Sequence, residues 1–275
     1  MQESSVPHDR PDAWLHPVVL ITGASSGIGL ATAHRLASLG MRLVLVARNE
    51  DKLEQAAADI AESYTAEAPQ IAIISADMAD PEEAADAVNA AVERFGRLDH
   101  LVLNAGTAPL RPIGSTGIDT IQHAFDVNAI GPGAMIEAAW PHFKARHAEY
   151  DGESPPATVV GVSTLGTADP FPGFFAYAAS KAAINSYARS IAKEGAAIGV
   201  RGYAVAPGAV ETPMLRGLFS TDILPEAVCV SPDDVAELIA GCIVGAYKEQ
   251  NGATIFISRA DDGSVQTRID EEPEA

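Results

Sequence analysis

Short, nearly continuous apolar runs alternate with longer amphipathic ones along the chain. Seven of the short runs read as strands: Val18 to Ile21, Leu43 to Val46, Ile71 to Ile74, Leu101 to Leu103, Thr158 to Val162, Val200 to Val205 and Thr254 to Ile257. A strand with one wet face alternates apolar and polar residues. These runs do not alternate, as expected when layers cover both faces of a parallel sheet. The intervening stretches predict helices. One runs from Gly27 to Leu39 and is closed by Gly40; another runs from Glu50 to Tyr64. A third runs from Pro81 to Phe95, with Asp80 as N-cap, Pro81 in the first helical position and Gly96 after its end. Ser231-Pro232 opens a further helix in the same way.

Strand and helix alternating over the whole length imply βαβ units. The fold class is therefore α/β, with a doubly wound parallel sheet of seven strands and helices on both faces. Two stretches interrupt the alternation. Glu149 to Pro156 is a Pro/Gly/acidic loop, and Gly208 to Val230 is a longer mixed segment of the kind that covers ligands in such folds. The 275 residues divide into a polar extension (1–16), a single domain (17–260) and an acidic tail (261–275), with Asp270, Glu271, Glu272 and Glu274 read as a solvated end.

Composition narrows the function. The chain is 47% hydrophobic and 20% charged, within the globular range. Its net charge of −19 argues against nucleic acid or an anionic membrane as partner. Cys229 and Cys242 make no disulfide framework and no metal spacing. The N-terminus lacks a cationic start followed by an apolar core, and no run is long enough to span a bilayer. A cytoplasmic protein is the expectation.

The chemistry begins after the first strand, at Thr22-Gly23-Ala24-Ser25-Ser26-Gly27-Ile28-Gly29. Glycines placed between an apolar strand and an amphipathic helix let a pyrophosphate approach the backbone and meet the helix N-terminal amides. The second strand ends Ala47-Arg48-Asn49. A carboxylate there would grip a ribose 2′-hydroxyl; an Arg instead accommodates a 2′-phosphate, so Arg48 favours NADP(H) over NAD. Tyr177 and Lys181 stand four apart on one face of an Ala-rich helix. Reducing a carbonyl needs a proton donor for the developing alkoxide, and a nearby ammonium draws a tyrosine pKa toward neutrality.

The glycine spacing resembles the Thr-Gly-x-x-x-Gly-x-Gly pattern of the short-chain dehydrogenase/reductase family, and five further segments match that family in order between Val18 and Ile257. The resemblance implies a Rossmann-type fold and NADP(H) bound by Gly23, Ser25, Ser26, Gly27, Ile28, Gly29 and Arg48. It extends that role to Asp77-Met78 at the adenine and to Asn104-Ala105-Gly106, where Leu103 replaces the family's first Asn. It further implies Pro207-Gly208, with Val210 and Thr212 at the nicotinamide carboxamide. Tyr177 and Lys181 are implied both as catalytic residues and as cofactor contacts. Asn128 would hold a water linked to Lys181, and a hydroxyl thirteen residues before Tyr177 would polarise the substrate. An ungapped match puts Thr164 in that place, with Ser163 one step off, and both remain open.

The stretch Thr164 to Tyr177 also resembles the sepiapterin and benzil reductase branch. Arg259 falls where a pterin-anchoring carboxylate would stand, which weakens the case for a pterin substrate and leaves diketones and general ketones open. A pocket lined from Leu165 to Phe175, from Ala105 to Ile113 and after Pro213 suits a small apolar or aromatic carbonyl compound. The family's habit implies a homodimer or homotetramer. The competing readings are a non-catalytic NADP(H)-binding sensor, an NAD-linked alcohol dehydrogenase, and an acyl-carrier-protein-linked β-ketoacyl reductase, against which the strongly acidic composition speaks.

Overall fold

A computed structural model describes residues 16–64, 68–149, 155–260 and 262–270. The extension 1–16 lies outside the described residues apart from His16, which bonds the Gly40 carbonyl through Nδ1. The strands are β1 (Val18–Thr22), β2 (Arg42–Ala47), β3 (Ile71–Ser75), β4 (His100–Leu103), β5 (Ala157–Val162), β6 (Val200–Pro207), β7 (Thr254–Arg259) and β8 (Val265–Asp270). They form one sheet in the order β3-β2-β1-β4-β5-β6-β7-β8. The first seven run parallel and β8 runs antiparallel to β7. The chain winds outward from β1 to β3 and then restarts at β4 on the other side of β1. That reversal leaves a crevice beyond the carboxyl ends of β1 and β4, where open α/β sheets bind ligands.

The helices are α1 (Gly27–Ser38), α2 (Glu50–Glu62), α3 (Pro81–Phe95), α4 (Ile118–Phe125), α5 (Gly131–Glu149), α6 (Phe175–Gly195), α7 (Pro213–Arg216) and α8 (Pro232–Val244). Successive strand residues point to opposite layers. Val19, Ile21, Leu43 and Leu45 pack with Leu36 of α1 and with Val235, Ile239 and Ile243 of α8. Val18, Leu20, Val44 and Val46 pack with Val88 of α3 and with Met135 and Phe143 of α5. Both faces are covered, which is why these strands carry no polar face.

Local signals set the helix ends. Asp80 accepts from Glu82 N and Glu83 N, Pro81 follows it, and Gly96 closes α3 at φ 74°. Ser231 caps α8 in a reciprocal box with Asp234. Between α4 and α5 the helix widens into a π-turn at Asp126–Ile130.

The expected seven strands are all present, and the sheet has an eighth. Residues 265–270 of the expected acidic tail pair with β7, with Asp270 exposed as expected and only Ile269 half-buried, whereas 261 and 271–275 lie outside the described residues. As an edge strand β8 has few buried positions, and its polar majority hides the period-2 signal left by Val265, Thr267 and Ile269.

Candidate active site

The carboxyl ends of β1 and β4 are laced together by one hydroxyl and one amide. Thr22 Oγ1 accepts from Asn104 N at 2.9 Å and from Ala105 N at 3.0 Å. Asn104 Nδ2 donates back to Thr22 O at 2.8 Å. Two glycines keep the floor open. A Cβ at Gly29 would sit 2.3 Å from Gly23 O, so the first turn of α1 closes onto the preceding loop only without a side chain. A Cβ at Gly106 would lie 3.1 Å from both Asn128 Oδ1 and Lys181 Nζ, so Gly106 lets those two groups converge.

Above this floor lies a cavity of about 440 Å³. It is lined by Gly23, Ser25, Ser26, Gly27 and Ile28 from the glycine loop, by Arg48 after β2, and by Asp77 and Met78 after β3. Asn104, Ala105 and Gly106 line it after β4, Pro207, Gly208, Val210 and Thr212 after β6, and Tyr177 and Lys181 from α6. Gly29, Asn128 and Thr164 stand behind its wall. The N-cap of α1, Ser26, makes no side-chain cap bond, and the first turn carries no acid. Helix amides left uncapped beside a cavity suit an anion. These observations fit a dinucleotide: uncapped helix amides at the glycine loop, and one cleft lined from Arg48 to Tyr177.

Some lining residues escaped the sequence reading. Asn49 caps α2 by accepting from Lys52 N at 2.8 Å, and Lys52 lines the cavity beside Arg48. Two cations meet there in a chain with only 18 Lys and Arg. Their spacing of one helical turn was the available signal. His123 of α4 and Thr107 line the cavity as well.

The π-turn brings Asn128 inward, fully buried. Its Nδ2 donates to Thr107 O at 2.8 Å and to Ser180 Oγ at 2.9 Å, while its Oδ1 accepts from Thr107 N at 2.9 Å. Asn128 thus pins the loop after β4 to α6. Lys181 is buried and donates from Nζ to Val162 O at 2.7 Å. Burial pulls its pKa down to about 8.

Thr164 shares a hydrogen bond with Tyr177 and accepts from Gly166 N at 3.2 Å. Ser163, although it lines the cavity, donates its hydroxyl to Lys181 O at 3.2 Å and is turned to the helix backbone. Of the two, Thr164 is the hydroxyl at Tyr177. The expected lowering of the tyrosine pKa by the ammonium is absent. Burial raises the Tyr177 pKa and the Thr164 bond only partly opposes it. With Lys181 engaged by Val162 O, burial decides the direction.

On the substrate side Phe174, Met214, Leu215 and Leu218 line the cavity, whereas Ile113 is 77% exposed. Arg259 donates to Cys229 O and Gly263 O, each at 2.7 Å, and braces the turn into β8. No helix of the described residues is long and apolar enough to cross a membrane.

Comparison with known proteins agrees with this geometry. The short chain dehydrogenase family model matches residues 17–222. The chain is 30% identical over 247 residues to 3beta-hydroxysteroid dehydrogenase 1 of Eggerthella lenta, covering 87% of this chain and 91% of that protein. Among solved structures it superposes on 3-ketoacyl-(acyl-carrier-protein) reductase of Brucella melitensis complexed with NADH. The TM-score is 0.78 at 28% identity, over 88% of this chain and 96% of that one. A short chain dehydrogenase of Burkholderia cenocepacia in complex with NADP matches with a TM-score of 0.78 at 27% identity, over 89% and 98% of the two chains.

Proposed function

Because the chain belongs to the short-chain dehydrogenase family, we propose that it is an NADP(H)-dependent carbonyl reductase acting on small apolar or aromatic ketones and diketones. The observation that carries this reading is the convergence of Tyr177, Thr164 and Lys181 at the apolar end of a cleft whose other end holds Arg48 and Lys52.

The glycine loop and the α1 amides would hold a pyrophosphate, Arg48 and Lys52 a ribose 2′-phosphate, and Val210 and Thr212 the nicotinamide carboxamide. Asp77, Met78, Asn104, Ala105, Pro207 and Gly208 complete that binding surface. When bound, this cofactor supplies the hydride that reduces the carbonyl carbon. Tyr177 donates its phenolic proton to the oxygen that becomes the alcohol. The Thr164 hydroxyl orients the carbonyl at Tyr177. Lys181, an ammonium one turn along α6, would stabilise the phenolate left behind on turning from Val162 O toward the cleft it lines. Asn128 keeps Thr107 and α6 in register and leaves Oδ1 facing Lys181 across Gly106, which supports a proton-relay role. No carboxylate stands at Ala47 to favour a free ribose, and two cations stand nearby. That is the ground for choosing NADP(H) over NAD.

The test is cofactor oxidation by the purified protein with NADPH or NADH against vicinal diketones, aromatic ketones and aldehydes. Turnover with NADPH exceeding that with NADH, and reversal of that preference in Arg48→Glu, is the expected result. Tight NADPH binding without turnover of any compound would move the reading to a cofactor-binding sensor. Faster reaction with NADH would move it to an NAD-linked alcohol dehydrogenase and assign Arg48 to the surface.

A further inference from the structure

The segment from Glu211 to Cys229 is gathered around a single guanidinium. Arg216, the last residue of α7, is about one-fifth exposed. Its Nε donates to Glu211 Oε1 at 2.6 Å and its Nη2 to Glu211 Oε2. Its Nη1 donates to Leu224 O at 2.8 Å and to Phe219 O at 3.4 Å, and Nη2 lies 3.7 Å from Cys229 Sγ. The two ends of the segment are closed separately, by Glu211 N to Val230 O at 3.0 Å and Val230 N to Ala209 O at 2.8 Å. Arg216 therefore does not join the segment to the domain. It shapes its interior.

That shape delivers an aromatic ring to the catalytic end. The Phe219 ring meets Phe171 edge-on at 5.8 Å and Phe174 edge-on at 6.3 Å. Phe174 in turn packs 5.2 Å from the Tyr177 ring. Phe171 and Phe174 come from the loop before α6, whereas Phe219 comes from across the cleft. Phe171 is 56% exposed and Phe174 lines the cavity, so the group is not a closed core. Ring edges carry partial positive charge and attract the face of another ring. A planar aryl group entering beside Tyr177 would find such edges already arranged, without the entropy cost of ordering the wall on binding.

We propose that Arg216 is a positioning residue that holds Phe219 against Phe171 and Phe174, building an aromatic subsite that selects carbonyl compounds with an aryl group on the carbonyl carbon. This rests on the carbonyl reductase reading. The Arg216 guanidinium is not among the groups that line the cavity, although its backbone N bonds Thr212 O at 3.0 Å; it acts through Phe219.

The experiment compares kcat/KM for 1-phenylpropane-1,2-dione with that for butane-2,3-dione, which differ by phenyl against methyl. The wild type favours the phenyl compound. Arg216→Ala lowers that preference about tenfold, chiefly through KM of the phenyl compound, as expected for loss of an aryl contact. Phe219→Ala does the same, and the double variant is no worse than either single one, because both remove one contact. Arg216→Lys, which keeps the charge but not the fork, falls between. In the unliganded protein, amide exchange over residues 213–230 accelerates in Arg216→Ala. Should that variant fail to fold, Glu211→Gln and Arg216→Lys carry the same comparison. If the wild type reduces neither diketone but turns over other carbonyl compounds, the subsite fails and the reductase reading stands; if it turns over no carbonyl compound, both fail. If the wild type reduces both, but the preference survives Arg216→Ala or the two single effects simply add, the reading stands and the role of Arg216 is overturned.

Discussion

Two buried polar clusters occupy opposite ends of the sheet, and only one of them opens onto a cavity. At the amino ends of β1 and β4, Asp99 accepts from Val18 N and from Arg97 Nε, both at 2.8 Å. Arg146 Nε lies 2.7 Å from the same carboxylate, close but too poorly aligned for a hydrogen bond, so that contact is an ion pair. At the carboxyl ends, Asn128, Thr164, Tyr177 and Lys181 gather around the cleft. Titration is perturbed at both ends. Burial pushes the Asp99 carboxyl up, but the Arg97 hydrogen bond and the neighbouring positive charges outweigh it and hold it below its ordinary value. Burial, helped by the two arginines, drops His100 to about 4. Lys181 falls to about 8 and Tyr177 rises. A shifted pKa alone therefore does not mark a working site. The lower carboxylate is saturated by committed partners, whereas the upper phenol keeps one side on open space.

The comparison breaks or sharpens in a definite order. Tyr177→Phe should cost roughly 10²- to 10⁴-fold in carbonyl reduction, the range for a positioned proton donor, with little change in thermal midpoint. A large fall in stability instead would make the upper cluster structural too. Asp99→Ala should do the reverse, removing the buried carboxylate that Arg97 and Arg146 both approach at a cost of about 3–5 kcal/mol in urea unfolding while folded molecules keep their turnover.

Acid titration separates the ends further. His100 binds its proton near pH 6.5 when unfolded and near 4 when folded, so the unfolded chain holds the extra proton between those values. Stability should be complete above about pH 6.5 and decline toward pH 4, by up to about 3 kcal/mol at 1.36 kcal/mol per unit. Asp99, with its pKa lowered, adds a loss of the same sign at lower pH. A pH series of melting curves should flatten in His100→Gln; an unchanged slope would place the acid sensitivity elsewhere. Smallest of all, Ser231→Ala should cost about 1 kcal/mol through the α8 cap, giving a baseline that belongs to neither cluster.

Much of this was legible beforehand where one residue type has one physical use. Pro81 and Gly96 bound α3 because a missing amide and a left-handed backbone each have few sites. The glycine loop and the Tyr177–Lys181 pair announced themselves by spacing. Other features depend on partners distant in sequence. Ser163 and Thr164 are neighbours in extended backbone and face opposite ways, so which of them reaches Tyr177 depends on where α6 lies. Lys52 matters because β2 and α2 place it beside Arg48, and Arg216 because a loop folds back over it. The direction of the tyrosine pKa shift follows from burial, which spacing does not encode.

The eighth strand has a consequence for handling the protein. Without residues 262–270, β7 would end the sheet with a bare row of amides and carbonyls above the buried side chains Ile255, Phe256 and Ile257. Such an edge is a template for a foreign strand. Instead β8 carries exposed polar side chains on both faces, Gln266, Arg268 and Asp270 on one and Thr267 on the other, and Arg268 lies 4.4 Å over the Phe256 ring. Those residues act as a guard against self-association into aggregates, so trimming the C-terminal stretch to tidy an expression vector would remove the protein's own defence against precipitation.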